Sequence, residues 1–132
     1  MTIELRHVEF MPKVLEPNVL YVSEKYRTAA HLCACGCGDK IRTPLGPTEW
    51  SFTTGRRGPS LWPSVGSWQR PCRSHYVIRN GEVHWANQWT DSEVRQGRLK
   101  EHAARKEYFA KRAPKSRVRR LWTWLKALFV IR

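Results

Sequence analysis

The sequence predicts an α+β fold in which a β-rich core is followed by C-terminal helices. Three observations support this class: a β-hairpin pattern at residues 75–85, a helix start signal at residues 90–93, and a change in charge after residue 90. The chain of 132 residues is 41% hydrophobic. This is the size of one ordinary domain with enough apolar surface for a modest core.

The charge is unevenly distributed along the chain, which carries a net charge of +13. Residues 1–90 hold 11 basic and 7 acidic side chains, whereas residues 91–132 hold 13 and 4. We therefore predict two parts, a core over residues 1–90 and a basic helical extension over residues 91–132 that favours an acidic partner.

The first half of the core contains three strand patterns. Residues 3–10 alternate apolar and polar side chains, residues 19–22 form a short apolar run after a turn cluster, and residues 49–53 alternate again. Such patterns are typical of strands with at least one buried face. Glycines and a proline predict a loop at residues 54–59.

The β-hairpin over residues 75–85 is the clearest local signal. Two strand-like runs flank Asn80-Gly81, a dipeptide suited to a two-residue turn because both positions tolerate positive φ. One face of the ribbon is apolar enough to be buried, and it comprises Tyr76, Ile78, Val83 and Trp85.

A helix is predicted over residues 92–112. Thr90 and Glu93 fit a capping box at its start, and Ala113-Pro114 ends it. Its apolar positions are sparse, which predicts a largely solvated helix.

The sequence has neither a secretory signal pattern at its start nor an apolar run of the length that spans a bilayer. We expect a cytoplasmic protein. In a reducing compartment, cysteines bind metal more readily than they form disulfides.

Cysteine and histidine residues form two clusters with metal-ligand spacing. The first comprises three cysteines separated by single residues and preceded by a histidine, and the second, about 35 residues later, is Cys-x-x-His. Glycines in the first cluster allow the tight turn that closely spaced ligands require. The candidate zinc ligands are four of Cys33, Cys35, Cys37, Cys72 and His75, with His31 as a further candidate. The favoured set is three sulfurs and one nitrogen: Cys72 and His75 with two cysteines of the first cluster.

Zn²⁺ in such a set is bound tetrahedrally by sulfur and nitrogen, and two ligand turns beside strands predict a zinc-ribbon-like core. Three alternatives stay open: free buried cysteines, a redox pair, and a catalytic zinc with an open position. The redox reading lacks the C-x-x-C spacing of thioredoxin-type sites.

Ser74 and His75 are the candidates for a catalytic pair. Adjacent residues on a strand point to opposite faces, however, so a hydrogen bond between these two side chains is not expected.

Tryptophans alternate with serines between the two ligand clusters, at residues 60–68. We interpret this segment as a loop whose Trp62 and Trp68 cover the metal site. The alternative is a surface on which these tryptophans grip the extended tail of a partner.

The last 16 residues place Trp122, Leu125 and Phe129 on one stripe of an amphipathic helix. Three roles stay open for this helix: docking on the core or a second copy, binding a groove of a partner enzyme, or lying on an anionic membrane surface. Nucleic acid is a fourth, less favoured partner, suggested by the positive charge.

Several segments together resemble a family of small bacterial metal-binding domains of unknown function, encoded beside genes for ubiquitin-like proteins and their conjugating enzymes. The resemblance covers roughly residues 3–90. It rests on residues 31–38 (HLCACGCG), 43–45, Trp50, 60–61, 63–66, 72–76 (CRSHY), Ile78, Gly81, Val83 and Trp85.

This resemblance implies a zinc-binding accessory of a bacterial ubiquitin-like conjugation pathway, with an antiphage role. It implies partners in the conjugating machinery and no particular reaction. The expected function is therefore a noncatalytic adaptor. A hydrolase or ligase-like enzyme acting on the conjugate is the first alternative, and a nucleic-acid-binding zinc module is the second.

Overall fold

A computed structural model describes residues 2–113 as two four-stranded β-sheets and one α-helix. The first sheet has the order β1-β2-β3-β4, with β1 and β2 parallel and the other pairs antiparallel. The second sheet is an antiparallel meander in the order β5-β6-β7-β8. The elements are β1 Glu4–His7, β2 Val19–Ser23, β3 Thr28–Leu32, β4 Lys40–Pro44, β5 Ser51–Gly55, β6 Gly58–Gly66, β7 His75–Arg79, β8 Glu82–Trp85 and α1 Asp91–Arg112.

The two sheets share one hydrophobic core. Leu20 from the first sheet and Leu61, Tyr76 and Ile78 from the second are among its largest fully buried side chains. A smaller cluster around Leu15 lies on the opposite face of the first sheet. The second strand is consequently buried along its whole length, as its continuous apolar run predicts.

The predicted α+β class is confirmed, and so are its clearest local signals. The hairpin joins β7 to β8 through Asn80 and Gly81, both with positive φ. A Cβ at Gly81 would lie 2.4 Å from the backbone oxygen of Arg57, so this turn also requires glycine for its close approach to the β5–β6 turn.

The capping box of α1 is present as predicted. The backbone amide of Thr90 donates to the Glu93 carboxylate at 2.7 Å, and the Glu93 amide donates to the Thr90 hydroxyl at 3.2 Å. The helix begins at Asp91 and ends at Arg112. Among the described residues, no helix has both the length and the apolarity needed to cross a membrane.

Residues 60–68 are mostly strand and not the loop predicted from the sequence. They belong largely to β6, whose pairing with β7 shifts between Leu61 and Val65. Pro63 lies inside this irregular stretch, where its missing N–H removes no ladder hydrogen bond. Proline therefore marks a β-bulge inside the strand, whereas Gly66 is the last residue of β6.

The described residues divide into two units, one ending at Arg95 and the other beginning at Gln96. Both sheets lie in the first unit. The second unit includes most of α1, and the predicted amphipathic helix with Trp122, Leu125 and Phe129 lies outside the described residues.

Candidate active site and metal centre

The four cysteines of the chain come together at one point. Cys33, Cys35 and Cys37 lie in the β3–β4 loop of the first sheet, and Cys72 lies in the β6–β7 loop of the second. The sulfurs of Cys33 and Cys37 are each 3.9 Å from that of Cys72, and Cys33 and Cys35 are 3.4 Å apart. All four sulfurs lie within 4.8 Å of one another, and none forms a disulfide.

These distances fit a tetrahedral zinc site. With Zn–S bonds of about 2.3 Å, the sulfurs of a regular tetrahedron are about 3.8 Å apart. The donor set is four thiols, the chemistry of structural zinc sites. The cysteine cluster is therefore consistent with Zn²⁺ binding.

The β3–β4 loop is shaped so that its three sulfurs converge. Gly36 and Gly38 have φ of 87° and 84°, a region that favours glycine. The amide of Cys33 donates to the carbonyl of Asp39 at 2.8 Å, which closes the loop at its base. Asp39 also forms an ion pair with Arg70 of the β6–β7 loop at 3.1 Å, so charge holds the two ligand loops together.

Ser74 is buried against the cysteine cluster. Its hydroxyl hydrogen-bonds the sulfur of Cys35, and this bond is the main cause that lowers the pKa of Cys35 to about 6. The lower pKa favours the thiolate, the form that binds metal. Ser74 thus contacts the metal centre, and its adjacent residue His75 faces elsewhere, as strand geometry predicts.

His75 is engaged by oxygen atoms and lies apart from the four sulfurs. Its Nδ1 is 2.6 Å from the backbone carbonyl oxygen of Asn87, and its Nε2 is 2.9 Å from the hydroxyl of Ser64. A carbonyl oxygen can only accept, so Nδ1 carries the proton and donates. In the neutral ring Nε2 is then the acceptor, and the Ser64 hydroxyl donates to it.

Ser64, His75 and the Asn87 carbonyl thus have the arrangement of a nucleophile, a base and an orienting group. This differs from the sequence-based interpretation, which includes His75 among the metal ligands and pairs it with Ser74. Sequence reasoning did not identify Ser64 as a site residue. Nothing in its spacing connects it to His75, and only the pairing of β6 with β7 brings the two together.

Two tryptophans enclose the His75 ring. Trp68 and Trp89 stack on each other with ring centroids 5.5 Å apart, and they lie 4.9 and 5.1 Å from the His75 ring. Gly66 permits this packing because a Cβ there would lie 2.4 Å from the Trp68 indole nitrogen. Trp68 therefore covers the catalytic candidate, where the sequence predicted that it covers the metal.

Arg73 connects the two segments that carry these tryptophans. Its guanidinium donates to the carbonyl oxygens of Trp68 at 3.3 Å and of Trp89 at 3.2 Å, and it pairs with Asp91 at 3.2 Å. Gln88 returns a hydrogen bond to the Arg73 carbonyl at 2.9 Å. These bonds hold residues 86–89 in place, and with them the Asn87 carbonyl that faces His75.

His31, the further ligand candidate, is buried and does not belong to the cluster of four sulfurs. Its Nε2 lies 2.6 Å from the Tyr76 hydroxyl. Burial lowers the pKa of His31 to about 4, so the ring is neutral at neutral pH. The structure assigns it to the core, in a hydrogen bond between the two sheets.

Trp62, the other tryptophan of the segment, points outward. Its side chain is 63% exposed, although it lies only two residues from Ser64. The Trp62 side chain is not part of the metal centre, and its exposure allows it to contact a partner or substrate.

Comparison with known proteins identifies a matching family. The family model described as bacterial ubiquitination-like system serine protease (BubE) matches residues 7–86, a range that contains all four cysteines, Ser64 and His75. No curated protein and no solved structure matches the chain.

Proposed function

The chain belongs to the bacterial ubiquitination-like system serine protease (BubE) family, and from this premise we propose that it is a serine protease with Ser64 as nucleophile and His75 as general base. The observation that supports the proposal is the 2.9 Å contact between the Ser64 hydroxyl and His75 Nε2. This nitrogen accepts the hydrogen bond from the hydroxyl, because the proton of the neutral ring is on Nδ1. Membership also indicates partners within the ubiquitination-like machinery.

The reaction follows from this geometry. The Ser64 oxygen attacks the carbonyl carbon of the scissile peptide bond while His75 Nε2 takes the hydroxyl proton. The same nitrogen then gives the proton to the departing amine, which leaves an ester on Ser64. His75 then deprotonates a water molecule that attacks the ester. The imidazolium returns this proton to the Ser64 oxygen as the carboxylic acid product leaves, which regenerates the hydroxyl.

The Asn87 carbonyl takes the position that a carboxylate occupies in an Asp-containing triad. It keeps the proton on Nδ1 and orients the ring. As a neutral group, it stabilises the imidazolium less than a carboxylate does. Enclosure of the ring by Trp68 and Trp89 adds to its positioning.

Zinc in this protein would be structural. Cys33, Cys35, Cys37 and Cys72 would hold it, and four protein ligands leave no position for a water or a substrate. Its contribution is to fix the loop that leads from Cys72 to His75.

The noncatalytic adaptor and the nucleic-acid module predicted from the sequence account for the cysteine cluster but not for the serine–histidine contact. The alternative hydrolase is the function that the geometry supports best. The roles predicted for residues 91–132, including contact with an anionic membrane surface, stay predictions.

A fluorophosphonate probe, which reacts with activated serines, tests the proposal without knowledge of the substrate. We expect labelling of the wild-type protein at Ser64, identified by peptide mass spectrometry. Labelling should be absent in Ser64→Ala and about 100-fold slower in His75→Gln, because the general base is lost.

Ser51→Ala is the matched control, since Ser51 is an exposed serine on the neighbouring strand β5, and it should react at the wild-type rate. Folded, zinc-loaded wild-type protein that does not react at Ser64 would contradict the proposal. So would undiminished reaction of His75→Gln.

A further inference from the structure

The strand that carries Ser64 extends beyond its neighbour on one side. Strand β6 has nine residues, but β5 pairs with it only as far as Trp62, opposite Ser51. Just before β5, the backbone of Trp50 turns away and bonds to Pro44 and Gly46. Along residues 63–66, no described strand pairs with the β5 side of β6. We call this stretch the open edge.

The backbone groups of Gly66 point toward the open edge. The Ser67 amide donates to the Ser74 carbonyl at 2.8 Å, so these two residues form a hydrogen-bonded pair between the two chains. Antiparallel ladders alternate, and the preceding pair, Gly66 opposite His75, is therefore not hydrogen-bonded. In agreement, the His75 carbonyl accepts from Ala86 on its other side at 2.8 Å.

The open edge also contains the nucleophile. Ser64 is two residues before Gly66, and its hydroxyl is already bonded to His75. A polypeptide that paired with Gly66 would pass beside the Ser64 oxygen. An unpaired strand edge is a ready template for an added strand, because its N–H and C=O groups need partners.

We infer that the substrate binds as an added β-strand on the open edge, so that the enzyme cleaves an extended, unstructured polypeptide segment and not a folded surface. This inference rests on the proposed function. Main-chain hydrogen bonds would then supply affinity with little dependence on side chains. They would also hold the scissile carbonyl near Ser64, which lowers the entropic part of the barrier.

Peptide phosphonates provide the test, because they react covalently with the catalytic serine. The reference probe is an acetyl-capped diphenyl phosphonate analogue of alanine. The second probe adds three alanines before the same reactive group. We expect the longer probe to modify Ser64 about 10- to 100-fold faster, as two or three added backbone hydrogen bonds would predict.

Methylation of single backbone nitrogens in the longer probe separates strand pairing from other contacts. Only every second residue of an added strand bonds to the edge. Of two successive alanines, only one should therefore have an amide that bonds to the edge. N-methylation of that alanine should abolish the faster modification of Ser64, and N-methylation of the other should leave it unchanged. A gain that survives both methylations would overturn the inference, as would no gain from the added alanines.

Enzyme concentration separates a substrate strand from a second copy of the chain on the same edge. A gain that is constant over a 100-fold range of protein concentration supports substrate binding, whereas one that falls as the concentration rises would overturn it. The reference probe distinguishes the two proposals. If it reacts at Ser64, the proposed function stands whatever the longer probe does, and if neither probe reacts, the proposed function fails.

Discussion

The side chains of residues 72–75 belong to two different sites, the cysteine cluster and the contact between Ser64 and His75. Cys72 joins the sulfur cluster and Ser74 bonds to it, whereas Arg73 and His75 face the tryptophans and Ser64. One short segment thus contributes side chains to both sites. Arg73 has a φ of 44°, a strained value for a non-glycine residue that is typical of functional segments.

Arg73 is a positioning residue, and Arg73→Lys tests that role. An ammonium cannot reproduce a planar fork that reaches the Trp68 and Trp89 carbonyls together. We expect Ser64 to react with the fluorophosphonate about 10-fold more slowly, because 1.4 kcal/mol of lost orientation corresponds to that factor. Zinc content should be unchanged.

Arg79→Lys is the control for this change, since Arg79 is an exposed arginine at the end of β7. It should leave the reaction rate at the wild-type value. A wild-type rate in Arg73→Lys as well would show that the Asn87 carbonyl is held without the guanidinium.

At the scale of elements, the β3–β4 loop and strand β6 show how breaks in regular structure create function. The loop places three sulfurs together through two glycines with positive φ. Strand β6 uses a register shift to present Ser64 beside His75. Bulges next to active sites commonly redirect a side chain in this way.

The cysteine loop is tested by Cys35→Ser. Cys35 is exposed, so its replacement by serine removes a metal ligand with little loss of packing. We expect about one zinc per chain in the wild-type protein and loss of it in the variant. Zinc binding stabilises the folded state, because the complete site exists only in the folded protein. The free energy of unfolding should therefore fall by about 3 kcal/mol or more, which corresponds to a fall of roughly 10 °C or more in Tm.

Elemental analysis and calorimetry measure these effects. Gln69→Ser, an exposed substitution in the β6–β7 loop, should change neither value. A Cys35→Ser protein that keeps both its zinc and its Tm would remove Cys35 from the ligand set.

At the scale of the whole molecule, the metal centre connects the two sheets. Three of its sulfurs come from the first sheet and one from the second, and the second sheet also carries Ser64 and His75. The hydrogen bond between His31 and Tyr76 crosses the same boundary. Loss of the metal would therefore disturb the relative position of Ser64 and His75 as well as the stability of the fold.

Exchange of the metal distinguishes this structural role from a catalytic one. Chelation should slow the reaction of Ser64 with the fluorophosphonate, and Zn²⁺ should restore it. Cd²⁺ or Co²⁺ in place of Zn²⁺ should give rates within about twofold of the zinc form, since either ion can hold four thiolates. A rate that changes about 10-fold between metals would indicate that the metal takes part in the chemistry.

The parts of the fold that depend on local chemistry were predictable. The turn at Asn80-Gly81 needs positive φ at two adjacent positions, and the capping box needs only Thr90 and Glu93. Strands β3 and β4 have no such signal and were not predicted. Pro63 is typical of a loop in the sequence, and only the pairing of β6 with β7 reveals the bulge that accommodates it within the strand.

The sequence by itself determined the turn at residues 80–81, the helix start and the loop that carries three closely spaced cysteines, because each depends on neighbouring residues. Only the tertiary structure decided what His75 does. Its distance from the sulfurs and its contact with Ser64 depend on how β6 and β7 pair, and on a carbonyl held by Arg73 from a third segment. Such contacts join residues that are far apart in the chain, so the spacing of residue types along the sequence does not predict them.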